Sequence, residues 1–127
     1  MRESVNDEID DKGVYTGVCN YDPYISQLRR TVVKDNDPST WRDDCAELYY
    51  DPAANGVGFY KFVVNANGKN DACWRMDSAN NHEEWRAPGV VSAAKVFDDR
   101  WEFELFVPWE AYGLKDVRGD GPRKDDV

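Results

Sequence analysis

Val90-Val91-Ser92-Ala93-Ala94-Lys95-Val96-Phe97, Asp98-Asp99, Arg100-Trp101-Glu102-Phe103-Glu104-Leu105-Phe106-Val107 is the stretch whose reading decides the fold. In its second half Trp101, Phe103, Leu105 and Val107 share one face and Glu102, Glu104 and Phe106 the other. A period of two is the signature of a half-buried strand, and the first face reads as core. Asp98-Asp99 is a two-residue connection to the preceding β-run, which predicts a tight hairpin. Pro108 to Gly113 follows as a single helical turn, with Pro suited to its start and Gly to its end.

Upstream, the same short runs recur between turn residues. Gly13 to Asn20 and Cys45 to Asp51 read as strands, as does Val57 to Asn65, entered through Ala53-Ala54-Asn55-Gly56 and left through Ala66-Asn67-Gly68. The second and third of these predict an antiparallel hairpin. Asp71 to Met76 is a weaker strand. Tyr24 to Lys34 is open between a helical turn and a short strand. Asp35 to Asp44 and Asp77 to Gly89 read as polar loops, and the segments before Gly13 and after Leu114 are polar. Strands in regular succession with Gly, Asn and Pro turns predict an all-β fold: an antiparallel β-sandwich of jelly-roll or immunoglobulin-like type, in one domain over residues 1–127.

Composition narrows the function. Lys and Arg number 16 against 25 Asp and Glu, a net charge of −9, which disfavours nucleic acid and anionic membrane surfaces as partners. Five Trp and seven Tyr argue for a packed core over an acidic disordered tail. No apolar run reaches the ~18 residues of a membrane helix. The three cysteines, Cys19, Cys45 and Cys73, show no CxxC spacing, and there is one histidine, His82, so a Cys/His zinc site is disfavoured. The thiols read as buried strand residues, with a Cys19–Cys45 bridge between neighbouring strands as the alternative.

Catalytic templates find little footing. There is no GxSxG, GxGxxG or P-loop. Glu47 and Glu104, on different strands, are the one pair of carboxylates to weigh as a glycosidase couple, against a structural or binding role for each. The tryptophans say more. Trp41, Trp74 and Trp85 lie in or beside polar loops among carboxylates and amides. An indole face packs on the C–H face of a pyranose while such neighbours hydrogen-bond its hydroxyls. The competing reading of each is a cap on the edge of the core. Asp35-Asn36-Asp37 with Asp43-Asp44 is the best oxygen cluster for Ca²⁺, weighed against a solvated acidic loop.

At Trp41-Arg42-Asp43-Asp44-Cys45-Ala46-Glu47 the chain resembles the family 9 carbohydrate-binding modules, which read W-x-x-D-x-x-E before an apolar strand. Three further blocks are similar in family order: Val14-Tyr15-Thr16-Gly17-Val18 to an early "LY" strand, Tyr60 to Gly68 to a Y-x-F-x-x-N-x-x-G strand and turn, and Trp101 to Trp109 to a W-x-x-E-x-x-I-P-W/F strand. The resemblance implies a non-catalytic β-sandwich that binds glycan ends or short units, with structural calcium in some members. It implies that Trp41 stacks on the sugar and Glu47 hydrogen-bonds it, with Trp74 and Trp85 as further platforms. The family's second clamping Trp follows a later strand, and its basic residue corresponds to a position near Val63 here. The resemblance also implies a secreted or cell-surface location, a piece of a longer chain with covalently attached neighbour domains, and sheet edges open to dimerisation. Two alternatives are a structural or interaction sandwich without the sugar site, and a haem-binding relative using Met76 and His82 as axial ligands.

Overall fold

The computed structural model describes residues 2–51, 59–76, 81–82 and 85–112; at 2–3, 72–74, 76, 81 and 82 the description is of the backbone. It is an all-β sandwich of two antiparallel sheets. One holds β1 (Arg2–Ile9), β2 (Gly13–Tyr21), β8 (Arg100–Pro108) and β7 (Val91–Val96), in that order across the sheet. The other is a meander of β3 (Cys45–Tyr50), β4 (Phe59–Asn65), β5 (Asn70–Met76) and β6 (Asn81–His82). Among the described residues the helical structure is three short 3₁₀ turns, at Ile25–Gln27, Thr40–Arg42 and Trp109–Tyr112, and the connecting segments are irregular.

The alternation in β8 does what its pattern dictates. Trp101, Phe103, Leu105 and Val107 are all buried, and they meet Val14 and Val18 of β2 and Tyr50, Phe62 and Val64 of the facing sheet in one core. The β7–β8 hairpin closes through a Phe97 N–H donated to the Arg100 carbonyl at 2.7 Å, with Asp98-Asp99 at its tip. The β3–β4 pair aligns Cys45 with Asn65 and Tyr50 with Tyr60, as a hairpin requires; the connecting residues 52–58 lie outside the described residues. The 3₁₀ turn after β8 buries Trp109 and Tyr112, and the Trp109 indole N–H donates to the Asp10 carbonyl at 3.0 Å.

Three features differ from the sequence reading. The polar N-terminus is a full edge strand: β1 pairs with β2 from Arg2–Tyr21 to Ile9–Val14. An edge strand needs an apolar residue only where it meets the core, and its main-chain ladder supplies the rest. A short β6 also pairs with β5 within the segment read as loop. Cys19 and Cys45 are both free and sit in different sheets, so the bridge between neighbouring strands does not form; both are strand thiols, as read, but half-buried and not buried. The Cys73 side chain lies outside the described residues.

Across the two sheets, the Thr16 hydroxyl lies 2.6 Å from the Tyr50 hydroxyl and donates to an Asp7 carboxylate oxygen at 2.6 Å. This chain of oxygens joins β1, β2 and β3 through the interior and settles polar groups that burial alone would leave costly.

Candidate functional site

Trp41 rides on the Thr40–Arg42 turn, which is built by its own polar residues. The Asp37 carbonyl accepts from the Thr40 N–H at 3.1 Å and its hydroxyl at 2.7 Å, and the Asp37 carboxylate accepts from the Ser39 N–H at 2.8 Å. Thr40 is fully buried, and its neighbour Trp41 is turned outward with 58% of its surface exposed. The Arg42 guanidinium carbon lies 5.2 Å from the Trp41 ring centroid.

Asp43 anchors the turn from below. Its carboxylate accepts from the Thr31 N–H at 2.9 Å, the Thr31 hydroxyl at 2.7 Å, the Val32 N–H at 2.8 Å and the Asn65 amide at 3.0 Å. Burial pushes the Asp43 carboxyl up, but the hydrogen bonds from Val32, Thr31 and Asn65 together outweigh it and hold the pKa below the ordinary value. Asp44 accepts from the Arg29 N–H at 2.6 Å. Asn67 donates to the Arg30 and Val32 carbonyls at 2.9 Å each, so residues 29–32 are stitched to the β4–β5 turn. Three carboxylates of the oxygen cluster considered for Ca²⁺ thus accept from backbone N–H groups, Asp35 from the Asn70 N–H at 3.1 Å. Among the described residues no group of three or more His, Cys, Asp or Glu could hold a metal ion.

Glu47 stands on the outward face of β3, its side chain 42% exposed. Lys61 Nζ is 3.4 Å from its carboxylate, and the Tyr49 hydroxyl donates to it at 3.3 Å. The Cys45 thiol, two residues before, donates to the Trp41 carbonyl at 3.7 Å, which ties the start of this face to the turn. Burial, then the negative charges of Glu47, Asp43 and Asp44, push the Cys45 thiol up to about 11.

The other tryptophans are placed differently. Trp85 is half-buried, its ring 4.9 Å from that of Tyr60 and 6.0 Å from that of Phe62, so it packs on the core edge. Trp74 is in β5, opposite Lys61 in the register; its side chain lies outside the described residues. Met76 and His82 fall on successive rungs of the β5–β6 ladder, and their side chains also lie outside the described residues. Glu47 and Glu104 are on the outward faces of different sheets and are not brought together as a catalytic pair.

One contributor escaped the sequence reading. Tyr49 is 54% exposed beside Glu47, with its ring 5.7 Å from Phe59. The signal was present in the alternation of Cys45, Glu47 and Tyr49 against Ala46, Leu48 and Tyr50. The structure presents an outward indole on the turn that leads into β3, and on β3 and β4 a face carrying a carboxylate, a phenol and an ammonium. Together these offer a flat apolar patch, hydrogen-bond donors and acceptors. No family model, curated protein or solved structure matches the chain.

Proposed function

We propose that the domain is a non-catalytic carbohydrate-binding module, secreted or cell-surface, acting within a longer protein. The observation that carries this reading is the exposed Trp41 indole on a turn whose backbone is held by hydrogen bonds to Asp37, Ser39 and Thr40. A turn ordered before binding spares the cost of ordering its backbone in the complex. Trp41 stacks on a sugar ring; Glu47 accepts from its hydroxyls, and Lys61 and Tyr49 hold that carboxylate in place. Trp74 is a second platform candidate through its position opposite Lys61. The test is binding of the intact chain to a panel of immobilised plant and microbial oligosaccharides. Saturable binding that Trp41→Ala abolishes and Trp41→Phe partly keeps supports the reading. Binding absent throughout, or indifferent to Trp41, overturns it.

The second reading is a structural or interaction sandwich without a sugar site. The packing of Trp85 on the core edge favours it, since that indole is partly withdrawn from solvent. Under this reading the sheet edges, β1 and β7 on one side and β3 on the other, are the contact surfaces, and the Trp41→Ala variant binds its partners unchanged.

A further inference from the structure

The outward face of the β1–β2–β8–β7 sheet, on the far side from Trp41, has an unusual relief. Its cross-strand rows are set by register. The middle row is Asn6, Gly17, Glu104 and Ala93, read across all four strands. On one side stands the row of Glu8, Tyr15, Phe106 and Val91; on the other stands Ser4, Cys19, Glu102 and Lys95. The middle row is low because Gly17 and Ala93, the two neighbours of Glu104, have almost no side chain. The flanks are high: the Tyr15 and Phe106 rings lie 4.6 Å apart, and Phe97 closes the opposite end with Lys95 Nζ 5.1 Å from its ring centroid. Two adjoining cavities, of about 620 and 460 Å³, result, and both are lined by the four middle-row residues. Each is in the size range of small-molecule sites.

We propose that this trough is a second ligand site, floored by Gly17 and Ala93 around the Glu104 carboxylate, which binds a neutral oligosaccharide chain lying across the strands. Four strands set about 4.8 Å apart give a trough of about 14 Å, which suits a short run of linked rings over a single small ion. The lining decides the class. Among the described residues no hydrogen bond or ion pair engages the exposed Glu104 carboxylate, and an ionised carboxylate can only accept. Asn6, Ser4 and Lys95 add donors, so the wall offers both polarities along its length. A cation would meet Lys95 and the Arg100 guanidinium, which holds Glu102 at 2.9 Å and lies 4.1 Å from the Phe97 ring centroid, and an anion would meet Glu104. A polyhydroxyl chain, neutral and both donor and acceptor at each unit, conflicts with neither. The Tyr15–Phe106 ridge supplies the apolar face that a sugar's C–H surface packs against. Gly17 also shows that the trough is open: a Cβ built there meets only the Asn6 carbonyl oxygen, at 3.9 Å. Packing within the sandwich therefore does not demand glycine at this position, and glycine is otherwise a poor strand residue.

This site is independent of the Trp41 surface, and the experiment separates them. Cellohexaose, xylohexaose, mannohexaose and laminarihexaose are each titrated into the isotopically labelled intact chain to millimolar concentration, with spermine as a cationic comparison. The expected result is saturable shifts of the Gly17, Ala93 and Glu104 amides with at least one hexasaccharide. Gly17→Leu, which fills the trough, weakens that binding about tenfold or more and leaves the fold intact; Glu104→Gln weakens it severalfold. Trp41→Ala leaves these shifts in place. If none of the four sugars moves these amides, if only spermine does, or if Gly17→Leu binds as well as the parent, the proposal is overturned whatever the outcome at Trp41.

Discussion

The Asn65 side-chain amide donates to the Asp43 carboxylate across 3.0 Å of buried space, and this contact joins the turn that carries Trp41 to strand β4. Asn65 also donates to the Val32 carbonyl at 3.0 Å and accepts from the Asn67 and Lys69 N–H groups at 3.1 and 2.9 Å. One buried amide thus positions a loop, a turn and a strand at once. Removing a partner leaves several polar groups stranded without water, which costs far more than the net worth of any one bond. Asp43→Ala is expected to destabilise the domain by about 3 kcal/mol. Asn65→Ala acts on the same network, so the double variant costs less than the sum of the two. Urea unfolding of the three variants checks both statements.

The same carboxylate contributes to the acid sensitivity of the fold. Its folded pKa lies below the ordinary aspartate value of about 3.9, so the folded state binds the proton less readily than the unfolded one. The stabilisation is therefore fully present above about pH 4 and is lost as pH falls through the lower, folded value. Thermal unfolding between pH 7 and pH 2.5 should show a steeper acid loss in the parent than in Asp43→Asn, which has no charge to lose.

At the alkaline end the sign reverses. Burial, against a partly offsetting hydrogen bond with Thr16 and with added repulsion from Asp7, pushes Tyr50 up to about 12. Its contribution is intact below the ordinary tyrosine value of about 10 and disappears as pH rises through 12. Spectrophotometric titration should show a late-ionising phenol in the parent that is missing in Tyr50→Phe. That variant also breaks the Thr16 contact and should lose about 1 kcal/mol.

Cys45 reports on Glu47 without any ligand. With its pKa near 11, the thiolate fraction at pH 8 is roughly one in a thousand, so alkylation is slow. Glu47→Gln removes the largest of the charges that oppose ionisation and should speed alkylation at fixed pH. Mass spectrometry of iodoacetamide-treated protein follows this residue by residue. An unchanged rate would place Glu47 away from the Trp41 end of β3.

Much of the sandwich was legible because its central strands carry their own pattern. Trp101, Phe103, Leu105 and Val107 alternate with Glu102, Glu104 and Phe106, and burial follows that alternation. Strand β1 was not legible, because a sheet edge is specified by main-chain pairing with β2 and demands little of its side chains. The role of the Asp-rich loop in the fold was not legible either: Asp35, Asp43 and Asp44 accept from the backbone N–H groups of Asn70, Thr31, Val32 and Arg29, which lie far off in sequence. Trp85 looks like a loop residue in sequence, and only the arrival of Tyr60 and Phe62 from β4 makes it part of the core edge. The exposure of Trp41 was likewise a tertiary outcome, fixed by the burial of Thr40 beside it.

The most direct measurement is the indole N–H resonance of Trp41, assigned by its loss in Trp41→Phe, followed while the oligosaccharide panel is titrated into the intact chain. The account predicts that this resonance shifts saturably with at least one glycan, and that Glu47→Gln weakens the same binding. A Trp41 resonance that stays fixed with every glycan, while the fold is intact, would contradict it.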